Sequence, residues 1–263
     1  MIRPISAPIP GLNNATFPVP VAAVVGGGTV VNGMGYSRGS DADYDDWGAL
    51  SNPGWDYAGL APYFPKHSTF DAVSPATVEE FGVTWDATDY GNGPLHVTIP
   101  DFEYPDVKPF QEAWVNDGTV PVPPTGDYGV GPGFFWLPSS IDKRDGTRST
   151  SRKAYYDPVY QQRPNLHILT NTTVTEIIID NLHARGVKIR GNRKVYARKE
   201  VILAAGSIQT PQLLQRSGIG PKAVLEKAGV KVKKDHPAVG ANLQDHPVAF
   251  MIFNITRPSF PNL

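Results

Sequence analysis

The chain has 263 residues, 40% of them hydrophobic, which is enough for one large domain or two modest ones with a real core. A net charge of −1 gives no reason to expect nucleic acid or an anionic membrane as a partner, and no apolar run approaches the ~20 residues of a membrane span. The absence of cysteine excludes disulfides, thiolate catalysis and cysteine metal sites.

Taken in chain order, the sequence predicts small elements joined by turns. A proline-rich extended segment precedes residues 19–32, which we interpret as a short strand that runs into a glycine turn. Residues 40–65 carry helix-start signals between turn residues and predict short helices. The next region is irregular, with scattered strands such as "GPLHVTIP". From Gly146 onward the pattern predicts a helix, two strands, a hairpin, a further strand and a final helix.

Residues 200–211, "EVILAAGSIQTP", predict a strand, a small-residue turn and a helix. Val201 to Leu203 form the expected buried strand, Thr210 the expected N-cap, and Pro211 the first helical residue. We expect this helix to end at Gly218. In an open α/β sheet, a turn of this kind at the carboxyl end of a strand is a common place for a cofactor to bind. An ordinary connection between a strand and a helix, without a ligand, is the alternative that this pattern leaves open.

The glycine-rich stretch of residues 24–39, "VVGGGTVVNGMGYSRG", matches two well-known motifs only in part. The dinucleotide fingerprint G-x-G-x-x-G/A requires Gly or Ala where Val31 stands, and turn residues follow in place of a helix. The segment from Gly35 to Gly39 matches G-x-S-x-G, but the strand and helix that a nucleophile elbow requires do not flank it. What remains is a run of accessible backbone N–H groups that suits a flat or anionic ligand.

Two further patterns favour structural explanations. His236 and His246 each follow an aspartate, but no third residue is spaced for a compact metal site, so we predict no metal. The basic run "KIRGNRKVYARK" alternates with apolar residues and predicts a hairpin with one solvated face, rather than a nucleic-acid surface. The other four histidines are interpreted as surface or strand residues: His67, His96, His167 and His183.

Together these segments resemble the glucose-methanol-choline (GMC) flavoprotein oxidoreductases, nearest to the fungal aryl-alcohol-oxidase-like branch. "VVGGGTVVNGMGYSRGSDADYDDW" is similar to the first signature of the family, and "GSIQTPQLLQRSGIG" fits the second throughout. "NPGWDYAGLAPYF", "RPNLHILTNTTVTEI", "KEVILAAGSI" and "VGANLQDHP" resemble family segments in the same order. One departure is Ala23, where the family usually has a basic or amide residue.

The resemblance implies an α/β fold, α+β overall, with part of an FAD/NAD(P)-binding-type domain and part of a substrate-binding domain. We expect residues 1–65 and 140–235 to belong to the FAD-binding part, residues 66–139 to the substrate side, and residues 236–263 to the return into the substrate domain. The chain is expected to be a fragment without the family's phosphate-binding turn and without its catalytic histidine. We therefore name no catalytic residue and expect the chain alone not to oxidise alcohols.

The resemblance also implies FAD as the cofactor and assigns residues to it. Residues matching the segment around the isoalloxazine and pyrophosphate side of FAD are Gly28, Asn32, Gly33, Met34 and Gly35. The backbone of Val174 matches the adenine contact, and Ala205 and Gly206 match a turn near the ADP moiety. The Asp245–His246 pair matches a structural link to the substrate domain.

The activity implied is oxidation of the CH–OH group of a small-molecule alcohol, with hydride transfer to flavin N5. A non-redox, cyclase-like relative and a truncated non-catalytic product are the alternatives. The particular alcohol, the electron acceptor and the oligomeric state stay open. Three glycosylation sequons, at Asn14, Asn171 and Asn254, are compatible with secretion and do not decide the compartment.

Overall fold

A computed structural model describes residues 4–104, 107–118, 120–123 and 133–245. The chain divides into two compact units, the first ending at Leu166 and the second beginning at His167. The division of the sequence into cofactor-binding and substrate-side segments is a division by role, and it stays a prediction.

Short helices form over residues 40–65 of the first unit, as the sequence predicts. Ser40 begins the first of them through a capping box, in which the Asp43 N–H donates to Ser40 Oγ and the Ser40 N–H donates to the Asp43 carboxylate at 2.7 Å. The α-helices described in this unit are α1 (Asp41–Ala49), α2 (Tyr57–Leu60), α3 (Phe64–His67), α4 (Pro75–Phe81) and α5 (Val107–Asp117).

Two small sheets accompany these helices in the first unit. Strands β1 (Ser68–Phe70) and β2 (Leu95–Val97) pair in parallel, so the strand predicted in "GPLHVTIP" is confirmed. Strands β3 (Ile141–Asp142) and β4 (Thr147–Arg148) form an antiparallel pair. Phe70 packs against both buried apolar clusters, one containing Ile99 and the other Val97. The core of this unit therefore lies where β1 and β2 meet.

Two elements predicted for the first unit differ from the structure. Residues 19–25 form no regular strand; Gly26 and Gly27 have φ of +105° and +54°, and a 3₁₀-helix follows from Gly27 to Val30. These left-handed glycines turn the chain before a ladder can form. The helix predicted after Gly146 is reduced to a π-helix at Arg152–Tyr156, because its first residues form β4.

The second unit is built on an antiparallel sheet of β5 (Val174–Asp180), β6 (His183–Ile189) and β7 (Arg193–Tyr196). Ile189 pairs with Arg193, so a three-residue loop joins β6 to β7, and the hairpin predicted from the basic run is confirmed. Gly191 and Asn192 of this loop both have positive φ. Helix α6 (Gly206–Arg216) and α7 (Lys222–Lys227) follow, with the parallel pair β8 (Ile219–Gly220) and β9 (Lys234–Asp235).

Ser217 joins the end of α6 to the sheet. Its hydroxyl donates to the Leu213 carbonyl at 2.7 Å and accepts from the Ile177 N–H of β5 at 2.8 Å. Gly218 follows with φ of +93°, so the helix ends where the sequence predicts.

The strand predicted at Val201–Leu203 is wrong. No described residue pairs with this segment, and the Ile202 side chain is 77% exposed. The predicted helix start is also wrong, since α6 begins at Gly206 and contains Pro211 in its interior. Thr210 is not the N-cap; its hydroxyl accepts from the Ala205 N–H at 3.1 Å. A left-handed glycine, with φ of +86° at Gly206, permits this earlier start.

Candidate functional site

The glycine-rich segment of the first unit is held by backbone hydrogen bonds to distant residues. The Tyr36 N–H donates to the Pro138 carbonyl, and the Ser140 N–H donates to the Met34 carbonyl, each at 2.8 Å. Met34 itself has φ of +66°. The backbone of residues 34–36 is therefore fixed against the segment that leads into β3.

The beginning of the segment is fixed by hydroxyl groups. The Thr29 hydroxyl donates to the Gly26 carbonyl at 2.5 Å and accepts from the Ser151 N–H at 3.1 Å. The Ser151 hydroxyl donates to the same Gly26 carbonyl at 3.0 Å. A Cβ at Gly26 would lie 2.9 Å from Val30 Cγ2, so this glycine is required by packing as well as by φ.

Two other glycines of the segment face open space. A Cβ placed on Gly28 or Gly33 would meet no atom within 4 Å, and both residues are exposed. Between them, the Asn32 side chain accepts hydrogen bonds from Arg148 Nη1 at 2.7 Å and from the Met34 N–H at 3.2 Å. A flat ligand can thus approach the backbone at Gly28 and Gly33 without meeting a side chain of either residue.

The other three predicted residues lie in the second unit. Val174 begins β5, pairs with Ile189 and is 37% exposed. Ala205 and Gly206 stand at the start of α6, where a Cβ on Gly206 would also meet no atom within 4 Å. A cavity of about 440 Å³ flanks this helix, lined by residues of α6 and by residues 240–244. The structure thus places Gly206 directly before a lining residue of the cavity, Ser207.

A network of charged and hydrogen-bonding side chains in the first unit was not predicted from the sequence, because Asp71, His96 and Asp142 lie far apart in the chain. His96 Nδ1 lies 2.9 Å from Asp71 Oδ1, and the Asp142 side chain, only 2% exposed, pairs with Arg144 at 2.7 Å and Lys153 at 2.8 Å. The hydrogen bond from Arg144, followed by that from Lys153, holds the pKa of Asp142 well below its usual range.

One ligand atom from each of Asp71, His96 and Asp142 lies within 4.8 Å of the others, a spacing that a metal ion can use. Arg144 and Lys153 already neutralise Asp142, so a cation entering here would have to displace them. We interpret the network as structural, because Asp71 contacts His96 of β2 and also accepts a hydrogen bond from the Lys143 N–H, directly after β3, at 3.1 Å.

Of the other histidines, His67 has a hydrogen-bonding partner far away in the chain, and His246 falls outside the described residues. His67 Nδ1 lies 2.7 Å from the Tyr155 hydroxyl, and its ring stacks on those of Tyr36 and Tyr155. Burial, followed by the charge of Arg38, lowers the pKa of His67. His236 is exposed, whereas His246 lies outside the described residues, so the two-histidine metal hypothesis stays untested.

Among the helices of the described residues, none is both long and apolar enough to cross a bilayer.

Comparison with known proteins identifies the family of the chain. A family model described as GMC oxidoreductase matches residues 7–248, so the chain belongs to the GMC oxidoreductase family. The family resemblance and the mixed α/β fold class predicted from the sequence are therefore confirmed.

Individual relatives agree with this assignment. The chain is 39% identical over 259 residues to "Dehydrogenase xptC" of Emericella nidulans, covering 96% of this chain and 41% of that protein. An FAD-dependent oxidoreductase from Chaetomium thermophilum is 42% identical with a TM-score of 0.84, over 89% of this chain and 41% of that one. A fungal aryl-alcohol oxidase is 34% identical with a TM-score of 0.86, and the match covers 93% of this chain and 42% of that one.

The chain spans about two fifths of the length of these relatives. The names of all three describe redox enzymes, which does not favour the non-redox alternative. The comparisons do not assign individual residues, so the eight predicted cofactor contacts stay predictions.

Proposed function

We propose that this chain is part of an FAD-dependent alcohol oxidoreductase and contacts the cofactor through eight residues: Gly28, Asn32, Gly33, Met34, Gly35, Val174, Ala205 and Gly206. The observation that carries the proposal is the open space at Gly28 and Gly33, on either side in the chain of an Asn32 held by Arg148, in a chain of the GMC family. Similarity to an FAD-dependent oxidoreductase and to an aryl-alcohol oxidase supports FAD as the cofactor and an alcohol as the substrate.

The residues present fit a flavin. When bound, FAD supplies a hydride acceptor for oxidation of a CH–OH group. The backbone at Gly28 and Gly33 leaves room for a flat group, because a Cβ added to either glycine would meet no atom within 4 Å. The exposed Asn32 amide offers a hydrogen-bonding group between these glycines in the chain, and the distant contacts of Met34 and Tyr36 hold the segment in place before a ligand arrives.

The predicted residues of the second unit, taken by themselves, are suited to the adenosine end of FAD. Val174 begins a paired strand, so its backbone is held in a fixed position for contact with a planar base. The absence of side-chain bulk at Ala205 and Gly206, beside the first turn of α6, allows close approach of a polar group to the backbone. This assignment rests on the family match of residues in both units and does not require a catalytic residue in this chain.

The test uses the full-length protein that contains this chain. We expect it to purify with bound FAD and to show bleaching of the flavin absorbance when aromatic or aliphatic primary alcohols are added without oxygen. A protein that purifies and refolds without affinity for FAD would overturn the cofactor assignment. A flavin-loaded protein that no alcohol reduces would overturn the proposed substrate class.

A further inference from the structure

The side chain of Asn32 is oriented by a residue far away in the sequence. Arg148 Nη1 donates to the Asn32 backbone carbonyl at 2.8 Å and to its side-chain oxygen at 2.7 Å. A guanidinium has donors only, so the side-chain atom that faces it must be the amide oxygen and not the amide nitrogen. The chemistry of Arg148 therefore decides which way this amide points.

The acceptor capacity of the amide is then filled. The Met34 N–H donates to the same Asn32 Oδ1 at 3.2 Å, so both lone pairs of this oxygen have partners. Among the residues that the structure describes, none accepts a hydrogen bond from Asn32 Nδ2, and the residue is exposed. Only the two N–H donors of Asn32 remain available to a ligand.

Arg148 is itself anchored to the segment that fixes the glycine-rich loop. It pairs with Ile141 across β3 and β4, and the neighbouring Ser149 N–H donates to the Ser140 carbonyl at 2.9 Å. Ser140 in turn donates its N–H to the Met34 carbonyl. Arg148 and Met34 are thus both fixed by hydrogen bonds that involve Ser140 and its neighbours, and Asn32 contacts both residues.

We infer that Arg148 is a positioning residue that fixes the Asn32 amide as a hydrogen-bond donor, so that the ligand atom recognised at this point is an acceptor. The inference rests on the proposed function for the identity of the ligand, and FAD offers such acceptors in its ring carbonyls, ring nitrogens and phosphates. A ligand group that only donates is rejected here, because the Asn32 oxygen is already occupied.

Four single variants of the full-length protein test the inference. Arg148→Met removes the donors and keeps an apolar stem, whereas Arg148→Lys keeps the charge and a donor. Asn32→Asp keeps an oxygen toward Arg148 and loses the N–H donors. Arg163→Met is the matched control, since Arg163 is exposed and lies outside the site.

Two measurements separate positioning from folding. Hydrogen exchange of the Met34 amide in the apoprotein reports whether the hydrogen bond from Met34 N–H to the Asn32 side chain is formed. The Ile177 amide of the second unit serves as the reference. Titration with FAD measures the binding affinity to which the N–H donors of Asn32 are proposed to contribute. We expect Arg148→Met to lose Met34 protection and to bind FAD about tenfold more weakly, with part of both restored by Arg148→Lys. Asn32→Asp should keep Met34 protection and still bind FAD about tenfold more weakly.

Unchanged FAD affinity in Asn32→Asp would overturn the assignment of the amide as a donor. Unchanged Met34 protection in Arg148→Met would overturn the role of Arg148. If the unsubstituted protein binds no FAD, the proposed function fails, while the exchange measurement still decides whether Arg148 holds the loop. Equal effects of Arg163→Met and Arg148→Met would also contradict the inference.

Discussion

Residues 26–36 of the first unit and residues 201–206 of the second are both rich in small or apolar residues, and both include predicted cofactor contacts. The first segment is held by hydrogen bonds from residues 138–151, more than 100 positions away. The second has no ladder partner among the described residues, and Ile202 is largely exposed. A glycine-rich loop thus becomes a defined surface when distant residues of the chain hold it, and composition alone does not decide which loop is held.

The largest effect expected from this comparison is on stability. Gly26→Ala combines an unfavourable φ with contacts at 2.9 Å to Val30 and 3.3 Å to Arg152, and should destabilise the first unit by about 3 kcal/mol. At Gly206 the φ is also unfavourable for alanine, but the added Cβ would meet no atom within 4 Å. Gly206→Ala should therefore lower the free energy of unfolding of the second unit by only about 1 kcal/mol.

Amide exchange of the apoprotein measures both substitutions, through the Thr98 amide in the first unit and the Ile177 amide in the second. If the two substitutions lower the free energy of unfolding of their units equally, residues 26–30 are no more tightly packed than residues 205–206.

Asp142→Asn should destabilise the first unit by about 2 kcal/mol, because Arg144 and Lys153 lose the carboxylate that they share. The pKa of Asp142 is depressed in the folded protein, so the stability it contributes is present above its ordinary pKa of 3.8 and is lost as the pH falls below it. Urea unfolding followed by tryptophan fluorescence measures this, because all five tryptophans precede Leu166.

In Asp142→Asn, the acid-induced loss of stability in that pH range should be smaller than in the unsubstituted protein. If the dependence of unfolding free energy on pH is the same with and without the substitution, Asp142 does not contribute to stability in the way proposed. The exposed Asp180→Asn in the second unit is the matched control.

Gly28→Ala should change stability by less than about 0.5 kcal/mol, because the added Cβ meets no atom within 4 Å. It should nevertheless weaken FAD binding at least about tenfold, since the methyl group occupies the face assigned to the ligand. Urea unfolding and FAD titration of the same preparation separate the two effects. A loss of stability with unchanged affinity would assign Gly28 to packing.

Sequence reasoning succeeded where a feature is local. The hairpin at Gly191–Asn192 follows from turn chemistry, and the helices after Ser40 follow from capping residues. It failed at Val201–Leu203, because a strand needs a partner and the apolar run alone does not supply one.

The site was predicted only through family signatures, and its supporting contacts were missed. Arg148 reaches Asn32 from 116 positions away, and His96 reaches Asp71 across 25. Neither pairing leaves a spacing pattern in a single sequence, because both arise when separate segments pack. The residues proposed to touch a ligand were therefore predicted from a motif, whereas those that orient them become visible only in the fold.

The most direct test of the central claim is the two-electron reduction potential of bound flavin in the full-length protein with Asn32→Asp, compared with Asn192→Asp in the second-unit turn. If Asn32 faces the flavin, the new carboxylate should disfavour the anionic reduced form and lower the potential by roughly 30 mV or more, equivalent to a tenfold change for a two-electron couple. The Asn192 variant should leave the potential unchanged. An unchanged potential together with unchanged FAD occupancy in Asn32→Asp would contradict the account and remove Asn32 from the site.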